Sequence, residues 1–167
     1  RHGRRRRGVR RRAAGRGHPR TVPAGEDDQR PAGAALGRLR TRRRRPGAAG
    51  AYRLRMPFHQ IDTVINWAKE INALVFIDVQ VGLSSIQKEL PEFDKYFALP
   101  NFHLGIDPEF SMKTGNKPGS AIGTFDATDI NFTLEFLSKI VRRYKLPPKI
   151  LVVHRFTSAM LTNYRKI

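Results

Sequence analysis

Asn101-Phe-His-Leu-Gly-Ile-Asp-Pro-Glu-Phe-Ser-Met112 reads as a buried strand that ends in two carboxylates, Asp107 and Glu109. Side chains alternate along a strand with period two, which points both carboxylates the same way, ~7 Å apart at Cα. Upstream, Ala73-Leu-Val-Phe-Ile-Asp-Val-Gln-Val81 is an apolar, β-branched run broken only by Asp78 and Gln80. Such a run fits a strand buried on both faces, as in a parallel sheet. Downstream, Lys149-Ile-Leu-Val-Val-His-Arg155 is a third strand of the same kind.

Helical patterns separate the three. Ile61, Val64, Ile65 and Ala68 recur at helical spacing, predicting a helix from Phe58 to about Asn72. Ser84 and Ser85 are N-cap candidates for a helix carrying Ile86, Leu90, Phe93 and Phe97, which Pro91 should break or kink. A glycine-bearing loop, Lys113 to Phe125, reads as a lid or a plain connector. Asp126 or Thr128 then caps a helix to about Lys145, with Ile130, Leu134, Leu137, Val141 and Tyr144 as its apolar stripe. The last dozen residues read as the start of another helix. The order α-β-α-β-α-β-α implies an α/β fold with a parallel sheet and right-handed crossovers. Three strands are too few for a complete (β/α)8 barrel, which takes about 250 residues; a doubly wound sheet is the alternative, but no nucleotide fingerprint supports it.

Alternation sorts the polar residues. Leu74, Phe76, Asp78 and Gln80 share one face of the first strand; His103, Gly105, Asp107 and Glu109 share one face of the second; Ile150, Val152 and His154 share one face of the third. If the β-branched faces pack on helices, Asp78, Gln80, Asp107, Glu109 and His154 gather on the other side at the carboxyl ends of the strands. Active sites of parallel α/β folds lie there. Singly, each has a structural explanation: Asp107 capping loop backbone, Glu109 pairing with Arg155 or Lys113, His154 as a core imidazole. In phase, they suggest a site. Asp107 and Glu109 are the candidate acid/base pair for glycoside hydrolysis, with Asp78, Gln80, His154 and Arg155 as substrate-binding candidates. Carboxylates plus His could instead serve a metal-dependent hydrolase, or bind a polar ligand without turnover. No cofactor is expected. Gly115-Asn-Lys-Pro-Gly119 lacks the Gly-Lys-Ser/Thr of a phosphate-cradling loop, which disfavours nucleotide hydrolysis.

Residues 1–55 are a different polypeptide. They hold 19 Arg, no Lys and three acids, which accounts for +16 of the chain's net +18. With no Phe, Ile, Met or Trp, this segment cannot offset its ordering entropy and is expected to be disordered, giving two regions, 1–55 and 56–167. Its Arg clusters suit non-specific contact with a polyanion such as nucleic acid, though no stacking aromatics or folded motif support sequence reading. A passive arm, or a stretch that is not genuine coding sequence, explains the same composition. The chain has no cysteine, which excludes disulfides, thiolate metal sites and a Cys nucleophile. There is no apolar run long enough for a membrane span, and no signal peptide is visible.

Four stretches together resemble a family of uncharacterised bacterial lipoproteins with a TIM-barrel, glycoside-hydrolase-like fold. They are Val75-Phe-Ile-Asp-Val-Gln-Val-Gly82, His103-Leu-Gly-Ile-Asp-Pro-Glu-Phe110, Ile122-Gly-Thr-Phe-Asp-Ala127 and Pro147-Pro-Lys-Ile-Leu-Val-Val-His-Arg-Phe156. The resemblance covers about residues 59–167. It implies a hydrolase-like scaffold, a carbohydrate ligand and a cell-envelope or secreted setting. The early barrel strands have no counterpart, so residues 56–167 are expected to be an incomplete barrel, a fragment inactive as this chain alone.

Overall fold

The computed structural model describes residues 36–38, 50–53 and 55–167. The disorder and polyanion binding expected of the Arg-rich segment lie almost wholly outside these residues. Its final stretch is engaged: Arg53 and Arg55 both ion-pair with Glu89, at 2.5 and 3.0 Å. The folded region therefore begins before residue 56.

All three expected strands are present, shorter than the apolar runs that announce them. They are β2 (Val75–Val79), β3 (Phe102–Ile106) and β5 (Leu151–Val153). A further strand, β1 (Leu36–Arg38), lies in the region expected to be disordered and pairs with β2, Leu36 opposite Phe76. The sheet is parallel throughout, with strand order β1-β2-β3-β5, and among the described residues it is open rather than closed into a barrel.

Between the strands run α1 (Phe58–Glu70), then α2 (Ile86–Glu89), a 3₁₀ turn at Leu90–Phe93 and α3 (Asp94–Phe97), and finally α4 (Ala127–Tyr144). Pro91 interrupts the second helical segment as expected, because a proline has no N–H for an interior helical bond and suits only the first turn. α4 starts in a capping box: the Asp126 side chain accepts from the Thr128 backbone N–H at 3.0 Å, and Asp129 accepts from the Asp126 N–H at 2.8 Å. Its buried face is Ile130, Thr133, Leu137 and Ile140, whereas Leu134 and Tyr144 of the expected stripe are exposed. Lys145 ends it in the left-handed region.

One hydrophobic core joins every helix to one face of the sheet. Val75, Ile77 and Val79 of β2 and Phe102, Leu104 and Ile106 of β3 pack there with Ile61 and Ile65 of α1, Phe93, Phe97 and Leu90 of the broken segment, and Ile130 and Leu137 of α4. No alternate-face strand residue belongs to that core. The crossovers thus all lie on one side, as successive right-handed crossovers in one direction require. The other face, bearing the polar set, carries no described helix.

The chain's end departs from expectation. Ser158–Met160 and Tyr164–Lys166 are 3₁₀ turns around a two-residue strand, β6 (Leu161–Thr162), that pairs parallel with β4 (Phe125–Asp126). A helix is displaced by better local partners: Met160 and Leu161 are buried, and the Thr162 hydroxyl and Asn163 amide each donate to Asp126 at 2.6 Å. No helix among the described residues is long and apolar enough to cross a membrane.

Candidate functional site

The face without a described helix carries three in-phase sets, Phe76–Asp78–Gln80, His103–Gly105–Asp107 and Ile150–Val152–His154, of which Asp78 and His103 are buried. Asp78 lies opposite Gly105, and Gly105 opposite Val152, so β3 separates the strand bearing Asp78 from the strand bearing His154. The two side chains meet across it: His154 Nε2 lies 3.1 Å from Asp78 Oδ1. Glycine makes the crossing possible. A Cβ at position 105 would stand 3.0 Å from Asp78 Cγ and 3.2 Å from His154 Nε2, and would overlap Oδ1. A glycine inside a strand marks such close approaches.

Asp78 is only 2% exposed, whereas the His154 side chain is 40% exposed. A carboxylate seldom goes so deep without partners, because desolvation disfavours its charged form. One step further along the strands, the Gln80 amide donates to Asp107 Oδ2 at 2.7 Å. The rim therefore holds two hydrogen-bonded pairs, Asp78–His154 and Gln80–Asp107, built from β2, β3 and β5.

The remaining two candidates are not brought to these pairs. Glu109 does not share the alternation expected of it, because β3 ends at Ile106 and Pro108–Phe110 forms a 3₁₀ turn. Asp107 N–H still bonds to Val79, but Pro108 has no N–H with which to continue the ladder. Glu109 instead lines an open cleft of about 280 Å³ with Phe110 and the Gly119–Ile122 segment. Arg155 turns away: its guanidinium donates to the carbonyls of Thr157 and Ser158 and lies 5.4 Å from the Tyr164 ring centroid. The pairing of Glu109 with Arg155 or Lys113 is not formed; Lys113 pairs with Asp129.

The loop after β3 is pinned at its far end. Gly123 N–H donates to Glu109 O at 2.7 Å and Thr124 N–H to Ser111 O at 3.1 Å. A Cβ at Gly123 would meet the backbone of Ser111 and Glu109 within 2.8 Å.

Two charged centres outside the rim went unread in the sequence. Glu89, 3% exposed, accepts from Ser84 and from both arginines; burial pushes its carboxyl up, the Ser84 and arginine hydrogen bonds push it down, and the net direction is down. Asp129 follows the same pattern, with burial outweighed by Lys113, the Asp126 N–H and Gln87. At the opposite, amino-terminal end of the sheet, His103 accepts from the Ile150 N–H at 3.2 Å through Nδ1. Burial, then nearby Lys149, lowers its proton affinity, so this imidazole is a neutral structural acceptor. Among the described residues no group of three or more His, Cys, Asp or Glu is placed to hold a metal ion. Comparison with family models, curated proteins and solved structures found no match to this chain.

Proposed function

We infer that residues 56–167 form part of a hydrolase-like (β/α) barrel domain whose strand-end rim takes a polyhydroxylated, carbohydrate-class ligand. In this reading Asp107 and Glu109 are the carboxylates of glycosidic-bond chemistry. One observation carries the reading: Asp78, Gln80, Asp107 and His154 rise from three adjacent parallel strands, at their carboxyl ends, on the face without described helices. A run of parallel strands added in sequential order, with every helix on one side, is the arrangement a (β/α) barrel uses. Its helix-free face becomes the barrel interior.

Carboxylate, amide and imidazole groups set side by side supply both donors and acceptors, which suits ligand hydroxyls that need both. Asp107 stands on the rim beside Gln80, and Glu109 approaches from the following turn, so the reaction would draw one carboxylate from the sheet and one from the loop. A cell-envelope or secreted setting belongs to the same reading.

The test is direct. The full chain is screened for binding against an oligosaccharide array, and Asp107→Asn is compared on any hit. Loss of one charge-assisted hydrogen bond should weaken binding about tenfold or more. No binding by the wild-type chain, or unchanged affinity in Asp107→Asn, refutes the reading.

A further inference from the structure

We propose that Asp78 and His154 form a proton-accepting dyad in which Nδ1 of His154 is a subsite for a hydroxyl group, water or a sugar O–H. The role rests on the rim being a hydroxyl-binding site, but its key geometry can be tested without any ligand. Asp78 Oδ1 faces Nε2 at 3.1 Å and, as a buried carboxylate, is an acceptor, so the ring's proton belongs on Nε2. That leaves Nδ1 with a lone pair. Nδ1 meets no donor or acceptor among the described residues, and the side chain is 40% exposed. A buried carboxylate behind one ring nitrogen and an open second nitrogen is the arrangement that orients an imidazole as a base.

The chemistry is a single proton transfer. A hydroxyl hydrogen bonds to Nδ1; when its proton moves there, the oxygen keeps the electron pair and the ring becomes an imidazolium. Asp78 stabilises that positive charge without taking a proton. Asp78 is thus a positioning residue, and Gly105 is the opening through which it acts.

Among the described residues, three charged groups lie nearest the ring. Asp78 faces it from β2. Asp107, one step past the Ile106–Val153 pair of β3 and β5, is held by Gln80. Arg155, next along β5, is directed to Thr157 and Ser158.

The experiment uses the full chain. Nitrogen-15 correlation spectra of the imidazoles, at a pH where His154 is neutral, should show protonated Nε2 and bare Nδ1. Asp78→Asn, whose amide can donate to Nε2, should shift His154 towards the Nδ1–H tautomer and so slow acylation at Nδ1. Diethyl pyrocarbonate should acylate His154 at least about tenfold faster than His103, which must await local opening. A wild-type Nδ1–H tautomer, or acylation of His154 no faster than of His103, overturns the proposal. Both wild-type measurements stand even if Asp78→Asn fails to fold. A correct tautomer without glycan binding would refute the carbohydrate reading alone; glycan binding with the wrong tautomer would refute the dyad alone.

Discussion

Gly105→Ala probes the rim with one methyl group. The position has no left-handed backbone requirement, so alanine is conformationally permitted and should gain about 0.4–1 kcal/mol by restricting the unfolded chain. Against this, the new Cβ would lie 3.0 Å from Asp78 Cγ and overlap Oδ1, so the buried carboxylate must move. Overpacking of this kind costs about 1–3 kcal/mol. The hydrogen bond to His154 is worth at most about 1.5–3 kcal/mol, less here because the imidazole is part-exposed. One displacement relieves the clash and breaks the bond, so the two costs overlap, and the expected net loss is about 2 kcal/mol. Urea denaturation of the full chain should show the midpoint falling by about 1–2 M at unchanged slope. In an Asp78→Ala background the same Gly105→Ala change should cost far less, since the remaining close contact, His154 Nε2 at 3.2 Å, belongs to a part-exposed ring that can give way. Wild-type stability in Gly105→Ala, or an equal loss in both backgrounds, would refute the view that Gly105 exists to let Asp78 reach His154.

Glu89→Gln leaves Arg53 and Arg55 facing a neutral amide; breaking a fully buried pair costs about 3–5 kcal/mol, and the exposure of Arg55 reduces the expectation to about 2 kcal/mol, read by the same denaturation. Stability should fall with pH in two stages. The unfolded chain binds a proton at His103 below its ordinary 6.5 while the folded chain resists it, and Glu89 and Asp129 repeat this below their ordinary 4.5 and 3.8. His103→Gln should therefore flatten the first stage and leave the second, as followed by thermal melts from pH ~7.5 down to ~2. Asp126→Ala removes the cap of α4 and the acceptor shared by Thr162 and Asn163, so hydrogen exchange should quicken both in the first turn of α4 and at Leu161–Thr162. Faster exchange in the helix alone would mean that the carboxylate does not hold the C-terminal segment.

The layout was legible because burial writes itself into periodicity. Val75, Ile77 and Val79 announce a helix-covered face, and the intervening Asp78 announces a different one. The same rule located Gln80, Asp107 and His154. It failed where covalent geometry overrides pattern: Pro108 stops the ladder, and Glu109 follows a turn rather than a strand. It also said little about partners distant in sequence. Arg53 and Arg55 looked like the end of a featureless basic tract, and their pairing with Glu89 depends on tertiary placement. The C-terminal residues carry helix-compatible types, yet Asp126 offers Thr162 and Asn163 better hydrogen bonds than a helix end would. Gly105 was the available signal for Asp78–His154, a lone glycine inside an apolar strand.

Pro108 also divides the labour of the two acids that the period-two pattern would have placed together. Asp107 is fixed by the sheet: its N–H is bonded to Val79, and its carboxylate takes the Gln80 amide. Glu109 is fixed by the loop: its carbonyl holds Gly123, and its side chain shares a cleft with Gly119–Ile122. Any chemistry that needs both carboxylates must therefore couple the rim to that loop. Binding that needs only Asp78, Gln80, Asp107 and His154 need not. On the proposed hydrolase reading, substitutions at Gly123 in a complete barrel, where a Cβ would press on the Ser111 and Glu109 backbone, should thus impair turnover far more than ligand affinity. Equal losses in both would place Glu109 within the binding surface itself and remove the distinction between sheet-borne and loop-borne acids.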